Sequence, residues 1–259
     1  MRGFIQVFSA VALIFFMGSC TKVIDVNINN KDPQYVIEGH VTLGDSIHRV
    51  DITQTLNISD SSPFPTIDNA VVLLTDDLGN SQAMSLVAPG RYETVNYPIS
   101  ADRTYTLQVT IDGQLFMSTA SVPQAVTLLN VLTFPFAFGP QTFNAIVPIR
   151  LDPGGVANYY EFKLIKHGKP NPISGFFIQS DQYNDGNLAQ EPIFADGVNS
   201  GDTIDVEMLN INREVYDYFY TLQQNQQGST PANPTSNISG GCLGYFSVQT
   251  KSVKQVIIP

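Results

Sequence analysis

Apolar and polar side chains alternate with a period of two along much of the chain beyond residue 33, the pattern of strands with one buried face. The segments YVIEGHVTL (35–43) and HRVDITQTL (48–56) alternate in this way, and RTYTLQVTI (103–111) is the clearest case. Asp112 and Gly113 follow at once, and this pair is typical of a two-residue turn between antiparallel strands. We therefore predict that the first half is built from paired β-strands.

The second half keeps the strand pattern and contains one helical segment. Strands are predicted over NAIVPIRLD (144–152), NYYEFKLIKHG (158–168), DTIDVEMLNI (202–211) and YFSVQTKSVKQVII (245–258). Val215, Phe219 and Leu222 instead lie at helical spacing, after Asn212, whose side chain can cap a helix. One short helix is therefore expected over about residues 212–227.

These elements predict a mainly β fold made of two antiparallel, sandwich-like domains. Turn-rich segments separate the short strands at intervals expected for a small sandwich over residues 33–123. Pro123 marks the expected boundary, and a second β-rich domain, which carries the helix, is predicted over residues 124–259. The sequence has no internal repeat at a fixed period.

The N-terminal sequence MRGFIQVFSAVALIFFMGSC is typical of a bacterial export signal. A positive charge at Arg2 precedes a largely apolar run, and small residues then precede Cys20. Residues 17–20 resemble a lipobox, in which signal peptidase II cleaves before the cysteine. We therefore predict a signal peptide over residues 1–19, acylation of Cys20 and a membrane tether over residues 20–32. An ordinary signal peptide with a cysteine near its end is the alternative.

The charge balance excludes nucleic acid as an expected partner. Lys and Arg number 13 against 23 Asp and Glu, and the resulting formal net charge of -10 repels phosphate backbones. With 43% hydrophobic residues, the chain is expected to be globular. Either kind of signal peptide directs the chain to an oxidising, extracytoplasmic compartment.

Cys242 lies in GGCLG (240–244), which matches the G-x-C-x-G spacing of a nucleophile elbow. Such an elbow needs a strand before the cysteine, a helix after it and, in the α/β-hydrolase order, a later histidine. The last histidine is His167, and a strand follows the motif, so no catalytic residue is predicted. The three glycines are instead expected to adopt positive φ in a tight turn. With Cys20 acylated, Cys242 has no partner for an internal disulfide.

No metal or cofactor site is predicted, although one loop has part of the spacing of a calcium loop. The three histidines have no cysteine or carboxylate at ligand spacing, and solvent-facing positions are expected for them. In DQYNDGNLAQEP (181–192), Asp181 and Asp185 occupy positions 1 and 5 of a calcium loop, but tyrosine and proline replace the ligands of positions 3 and 12. An ordinary Asp/Asn/Gly loop is therefore favoured over a calcium site.

Several segments resemble a transthyretin-like or carboxypeptidase-regulatory-like sandwich. They are YVIEGHVT, NAVVLLTDDLGN, PGRYET and TYTLQVTIDGQLFMSTASVP. Together with the lipobox, IRLDPGGVANYYEFKL and SNISGGCLGYF, they resemble the Bacteroidota lipoprotein family catalogued as domain of unknown function 4249. The resemblance covers nearly all of the chain after Cys20. It implies an outer-membrane lipoprotein, often encoded beside a TonB-dependent receptor, and it supplies no catalytic residue.

We expect a non-enzymatic lipoprotein, anchored in the outer membrane by its lipid, that assists a TonB-dependent receptor in nutrient uptake. It would bind a ligand or dock on the receptor, on either face of that membrane. A stand-alone adhesin that binds glycan or peptide is the first alternative, with 11 Tyr and 16 Phe but no Trp for sugar stacking. A hydrolase with an unrecognised site is the second alternative.

Overall fold

The alternating segments form strands in a computed structural model that describes residues 32–57, 60, 62–139, 141–226 and 233–259. The expected signal peptide, Cys20 and nearly all of the tether lie outside the described residues. The helix, α1, is Arg213–Gln226. The strands are β1 Tyr35–Thr42, β2 Arg49–Gln54, β3 Val71–Asp76, β4 Ser81–Ala83, β5 Ser85–Ala88, β6 Arg91–Glu93, β7 Thr104–Ile111, β8 Gln114–Ser121, β9 Leu128–Phe138, β10 Gln141–Leu151, β11 Tyr159–Lys166, β12 Phe177–Ser180, β13 Leu188–Ala189, β14 Ile193–Phe194, β15 Thr203–Ile211 and β16 Leu243–Ile257.

Eight strands form the largest sheet, in the order β12-β11-β15-β16-β1-β2-β6-β5. Two smaller sheets have the orders β4-β3-β7-β8 and β13-β10-β14, with β9 paired to β10 in the second. β1 and β16 run parallel, with Ile37 opposite Gly244 and Val41 opposite Val248. The other strand pairs of the described residues are antiparallel. The first and last strands are therefore neighbours at the centre of the large sheet.

Two apolar cores lie on one face of the eight-stranded sheet. The first includes Ile37 and Phe246 of that sheet and side chains of β3, β7 and β8. The second includes Met208 of β15 and Ile146 of β10. Side chains an even number of positions apart on a strand point to the same face of the sheet, and so do side chains of directly paired residues. Phe246 and Ser252 are an even number of positions apart along β16, and Ser252 is paired with Met208. Both cores therefore lie on the same face. Each smaller sheet thus covers its own part of this face.

The opposite face of the large sheet carries α1 and a polar surface. Val215 and Phe219 of the helix pack on Leu209 and Ile211 of β15 and on Tyr245 of β16. These three strand residues lie at the positions between those that face the two cores. The predicted spacing of apolar residues in the helix is therefore explained by its contact with the sheet.

β16 contributes to the packing of both parts of the chain. Its Phe246 and Val248 belong to the first core, together with Cys242 just before the strand, and its C-terminal half pairs with β15. Residues 33–259 form one compact unit. The division at Pro123 stays a prediction, but the core assigned to residues 33–123 is completed by side chains from the C-terminal end.

The mainly β fold with one short helix is confirmed, and α1 differs from its predicted bounds by one residue at each end. The turn at Asp112 and Gly113 joins β7 to β8, with φ of 49° and 85°, as the sequence predicted. The antiparallel description is wrong for β1 and β16, which pair in parallel. β9 was also missed, because it contains Pro135 and begins at the expected domain boundary.

The positive φ expected of the three glycines is confirmed, but Gly244 lies within β16, and only Gly240 and Gly241 precede the strand. Gly240, Gly241 and Gly244 have φ of 105°, 85° and 97°, a region that favours glycine. A Cβ atom on Gly244 would lie 2.0 Å from the carbonyl oxygen of Ile37, whereas nothing lies within 4 Å of a Cβ on Gly241. Gly244 is therefore needed both for its backbone conformation and for the close approach of β1.

Candidate functional site

Cys242 is buried in the first core, with 6% of its surface exposed. Burial raises the pKa of its thiol to about 11, so the thiol is protonated at neutral pH and is a poor nucleophile. The cysteine of the nucleophile-elbow spacing thus packs in the first core, where it also contacts the Ser236 side chain. Cys20, the predicted lipidation site, lies outside the described residues.

The three histidines occupy different environments. His48 is 1% exposed, donates from Nε2 to the Tyr97 carbonyl at 2.8 Å and accepts at Nδ1 from the Thr42 N–H at 3.4 Å. The expectation of a solvent-facing side chain is therefore wrong for His48, because backbone groups of Thr42 and Tyr97 enclose its ring. His40 is half-buried, and His167 is exposed.

A polar cleft of about 230 Å³ opens on the face of the eight-stranded sheet opposite the cores. Five strands and the β1–β2 turn supply its largely polar lining, which consists of His40, Thr42, Asp45, Ile47, Arg49, Lys163, Glu207, Leu209, Gln249 and Lys251. Leu209 also contacts the apolar cluster of α1, so the cleft lies beside the helix. Concave surfaces with converging polar groups are the usual sites of small-ligand binding.

Charged groups of both signs meet at and beside the polar cleft. Burial, with the nearby charges of Lys163 and Arg49, lowers the pKa of His40 to about 3, so this ring is neutral. Burial raises the pKa of the Glu38 and Glu161 carboxyl groups, an effect that Lys163 partly offsets. Several perturbed titratable groups around one concavity are typical of a functional site, although structural networks also produce them.

Hydrogen bonds within β16 and between β16 and β1 hold part of the lining of the cleft in place. Ser247 donates to Gln249 Oε1 at 2.9 Å, and Gln249 Nε2 donates to Thr42 Oγ1 at 3.0 Å. Lys251 Nζ contacts Asp45 Oδ2 at 2.9 Å at the rim. The cleft therefore presents fixed donors and acceptors, and its chemistry suits a small polar ligand rather than an apolar one.

A second surface is apolar and lies on the β9–β10 hairpin and β14. Leu132, Phe134, Phe136 and Phe194 are 49%, 44%, 43% and 46% exposed. The rings of Phe136 and Phe194 are 5.5 Å apart, and Phe134 and Phe194 are both paired with Ala145, which makes the surface continuous. We call these four side chains the aromatic surface. Contiguous exposed apolar groups of this kind mark contact surfaces for other molecules.

The loop that carries Asp181 and Asp185 meets a second loop that begins at Asp152. One carboxylate oxygen from each of the three residues lies within 4.8 Å of the other two. Gly154 and Gly186 make this contact close, because a Cβ atom on Gly186 would lie 3.3 Å from Gly154 Cα. Burial is the main cause that raises the pKa of Asp152, and the nearby Asp181 charge adds to it.

A buried arginine lies next to these loops. Arg150 has no exposed surface, donates to Gln179 Oε1 at 2.7 Å and pairs with Glu191 Oε2 at 3.2 Å. Its guanidinium lies 4.1 Å from the ring centroid of Tyr160, whose hydroxyl donates to Asp152. The positive charge of Arg150 is thus paired with Glu191, and its guanidinium is held against the Tyr160 ring.

The sequence singled out two of the three clustered aspartates. Asp181 and Asp185 were recognisable from their spacing, and the structure brings them together with Asp152. Asp152 opens the segment DPGG, but nothing in the sequence indicates which other loop it meets. The polar cleft and the aromatic surface were missed, since each is assembled from strands far apart in the chain.

The described residues form a mainly β protein of three sheets with one short helix. The family model described as Domain of unknown function (DUF4249) matches residues 21–255, and the chain belongs to that family. A search of curated proteins found no match. Within the described part of the chain, no helix has the length and apolar character needed to cross a membrane.

Proposed function

We propose that the protein is a non-enzymatic lipoprotein, anchored in the outer membrane through Cys20, that assists a TonB-dependent receptor in nutrient uptake. The aromatic surface is the observation that carries this proposal. Its four large apolar side chains stand exposed on a chain whose net charge is -10. Aromatic side chains are enriched where proteins contact one another, and their burial is the main source of binding energy there.

The receptor partnership is tested by purification of the full-length protein from its native membranes in a mild detergent. We expect a TonB-dependent receptor to be recovered with the wild-type protein, and at least tenfold less receptor with the double variant Phe134→Ser, Phe136→Ser. The matched control is Phe64→Ser, Leu78→Ser, which alters two exposed apolar residues (63% and 73%) outside the aromatic surface. Wild-type protein that is always recovered without a receptor contradicts the proposal.

A stand-alone binding lipoprotein is the second candidate function, and the polar cleft favours it. A glycan or a short peptide has hydrogen-bonding groups that suit the fixed polar lining, and a peptide also carries the charges that Lys163 and Glu207 could pair with. Binding of such a ligand by the full-length protein in a strain without the receptor, lost in Lys163→Ala, would favour this function over the partnership.

A further inference from the structure

The loop that follows β10, residues 152–158, and the loop that follows β12, residues 181–187, meet at three carboxylates. From this meeting point we propose that Asp152, Asp181 and Asp185 bind a calcium ion. The inference is independent of the proposed receptor partnership.

Donors outside the carboxylates fix their orientation. The Tyr160 hydroxyl donates to Asp152 Oδ1. Asp181 Oδ2 accepts from the Asn158 N–H at 2.7 Å, and Asp185 Oδ1 accepts from the Gly155 N–H at 2.7 Å. One oxygen of each carboxylate is thus held by a donor, which leaves each residue a second oxygen for a cation. Side chains oriented in this way lose little freedom when an ion binds.

Asp152 itself points to a missing ligand. The residue is 3% exposed, and its Oδ2 is enclosed without a hydrogen-bond partner among the described residues. Asn158, 6% exposed, carries another enclosed oxygen without a partner, Oδ1. Enclosed polar oxygens are normally paired, and a carboxylate oxygen costs the most to leave unpaired. A cation at the junction of the two loops compensates the buried charge.

The neighbouring arginine supplies only part of this compensation, since its charge lowers the pKa of the Asp152 carboxyl group but does not cancel the effect of burial. Arg150 Nη1 donates to Gln179, and Nη2 pairs with Glu191 at 3.2 Å. Asn184 Nδ2 also donates to Glu191 Oε1 at 2.7 Å, which ties this pair to the 181–187 loop. The charge of Arg150 is therefore balanced by Glu191, and the three aspartates keep an excess of negative charge.

The donor set favours calcium among common metal ions. It contains only oxygen atoms, which hard cations prefer, and no histidine or cysteine that would favour zinc. Calcium–oxygen bonds of about 2.3–2.6 Å allow ligand oxygens to lie up to about 5 Å apart across the ion. The observed separations, all within 4.8 Å, fall inside this range. Asp185 is exposed, so the ion and its remaining water ligands can enter from that side.

Terbium luminescence tests the site directly. The chain has no tryptophan, and Tyr160 contacts Asp152, so tyrosine excitation should sensitise a bound terbium ion. We expect the full-length protein, freed of metal with a chelator, to give saturable emission that calcium displaces at lower concentration than magnesium does. Asp152→Asn and Asp185→Asn should each weaken terbium binding at least tenfold. Asp217→Asn is the control, because its exposed carboxylate lies on α1, outside the two loops, where it pairs with Arg213 at 3.6 Å.

Thermal unfolding supplies a second measurement that does not depend on terbium. Calcium at a hundredfold excess over its Kd should raise the Tm of wild-type protein and Asp217→Asn by about 5–10 °C, and should leave Asp185→Asn unchanged. Because Asp185 is exposed, Asp185→Asn is expected to fold, and it therefore still tests the site if Asp152→Asn does not fold. The proposal is overturned by wild-type protein with neither saturable emission nor a calcium-dependent Tm, or by Asp185→Asn that binds as wild type does.

Discussion

His40 shows how one half-buried ring can make the stability of this protein depend on pH. The ring lies on the outward face of β1, 5.4 Å from the Tyr245 ring, and burial with two nearby cations lowers its pKa to about 3. The unfolded chain, with a histidine pKa of 6.5, binds the proton more readily. The stabilising contribution of neutral His40 is therefore present above pH 6.5 and is lost as the pH falls from 6.5 towards 3.

We predict a corresponding difference between variants. Between pH 7 and about pH 5.5, the free energy of unfolding of wild-type protein should fall by about 1 kcal/mol more than that of His40→Gln, which has no proton to bind there. Urea unfolding at the two pH values measures this difference. Equal losses in wild type and His40→Gln would show that His40 is not the group responsible.

At the scale of elements, the parallel contact of β1 and β16 depends on Gly244. An alanine there would have its Cβ 2.0 Å from the Ile37 oxygen, at a φ of 97° that side chains rarely adopt. Backbone atoms of β1 cannot yield without losing the strand pairing. The substitution therefore combines backbone strain with a clash that only separation of the two strands relieves.

We predict that Gly244→Ala lowers the free energy of unfolding by more than about 4 kcal/mol. Gly241→Ala, with a similar φ of 85° but open space around its Cβ, should cost about 1–2 kcal/mol from backbone strain alone. Urea unfolding of both variants gives the comparison. Similar values for the two variants would contradict the role assigned to the close approach of Ile37.

The individual strands and the helix were largely predictable, because each depends on a local sequence pattern. Which strands pair with one another in the sheets was not predictable. The alternation in TYTLQVTI and the pair Asp112-Gly113 specify a hairpin whose two strands are adjacent in sequence. The positive φ of the glycines in GGCLG (240–244) was recognisable from the sequence, but nothing local indicates that Gly244 must fit against Ile37. The polar cleft was not predictable for the same reason, because the order of strands in the sheet brings His40 and Lys163 into one concavity.

At the scale of the whole molecule, the predicted lipid anchor decides where the protein resides. We expect Cys20→Ala to abolish palmitate incorporation and to release the protein from the membrane, because several acyl chains on one cysteine supply the attachment. Cys242→Ala should leave both intact, since that thiol is buried in the first core. Metabolic labelling with palmitate, followed by membrane fractionation, measures both variants. Labelled Cys20→Ala would contradict the lipobox assignment.

The pairing of the first strand with the last also constrains when the protein can fold. Gln249 and Thr42 are hydrogen-bonded although they are 207 positions apart, and Phe246 fills the core around Ile37. Contacts between such distant residues form slowly, because the loop between them must close first. When the ribosome has released only the N-terminal half of the chain, the first core therefore still lacks Phe246 and Val248. Folding of the first core therefore follows release of the C-terminal strand, and the chain stays open until then.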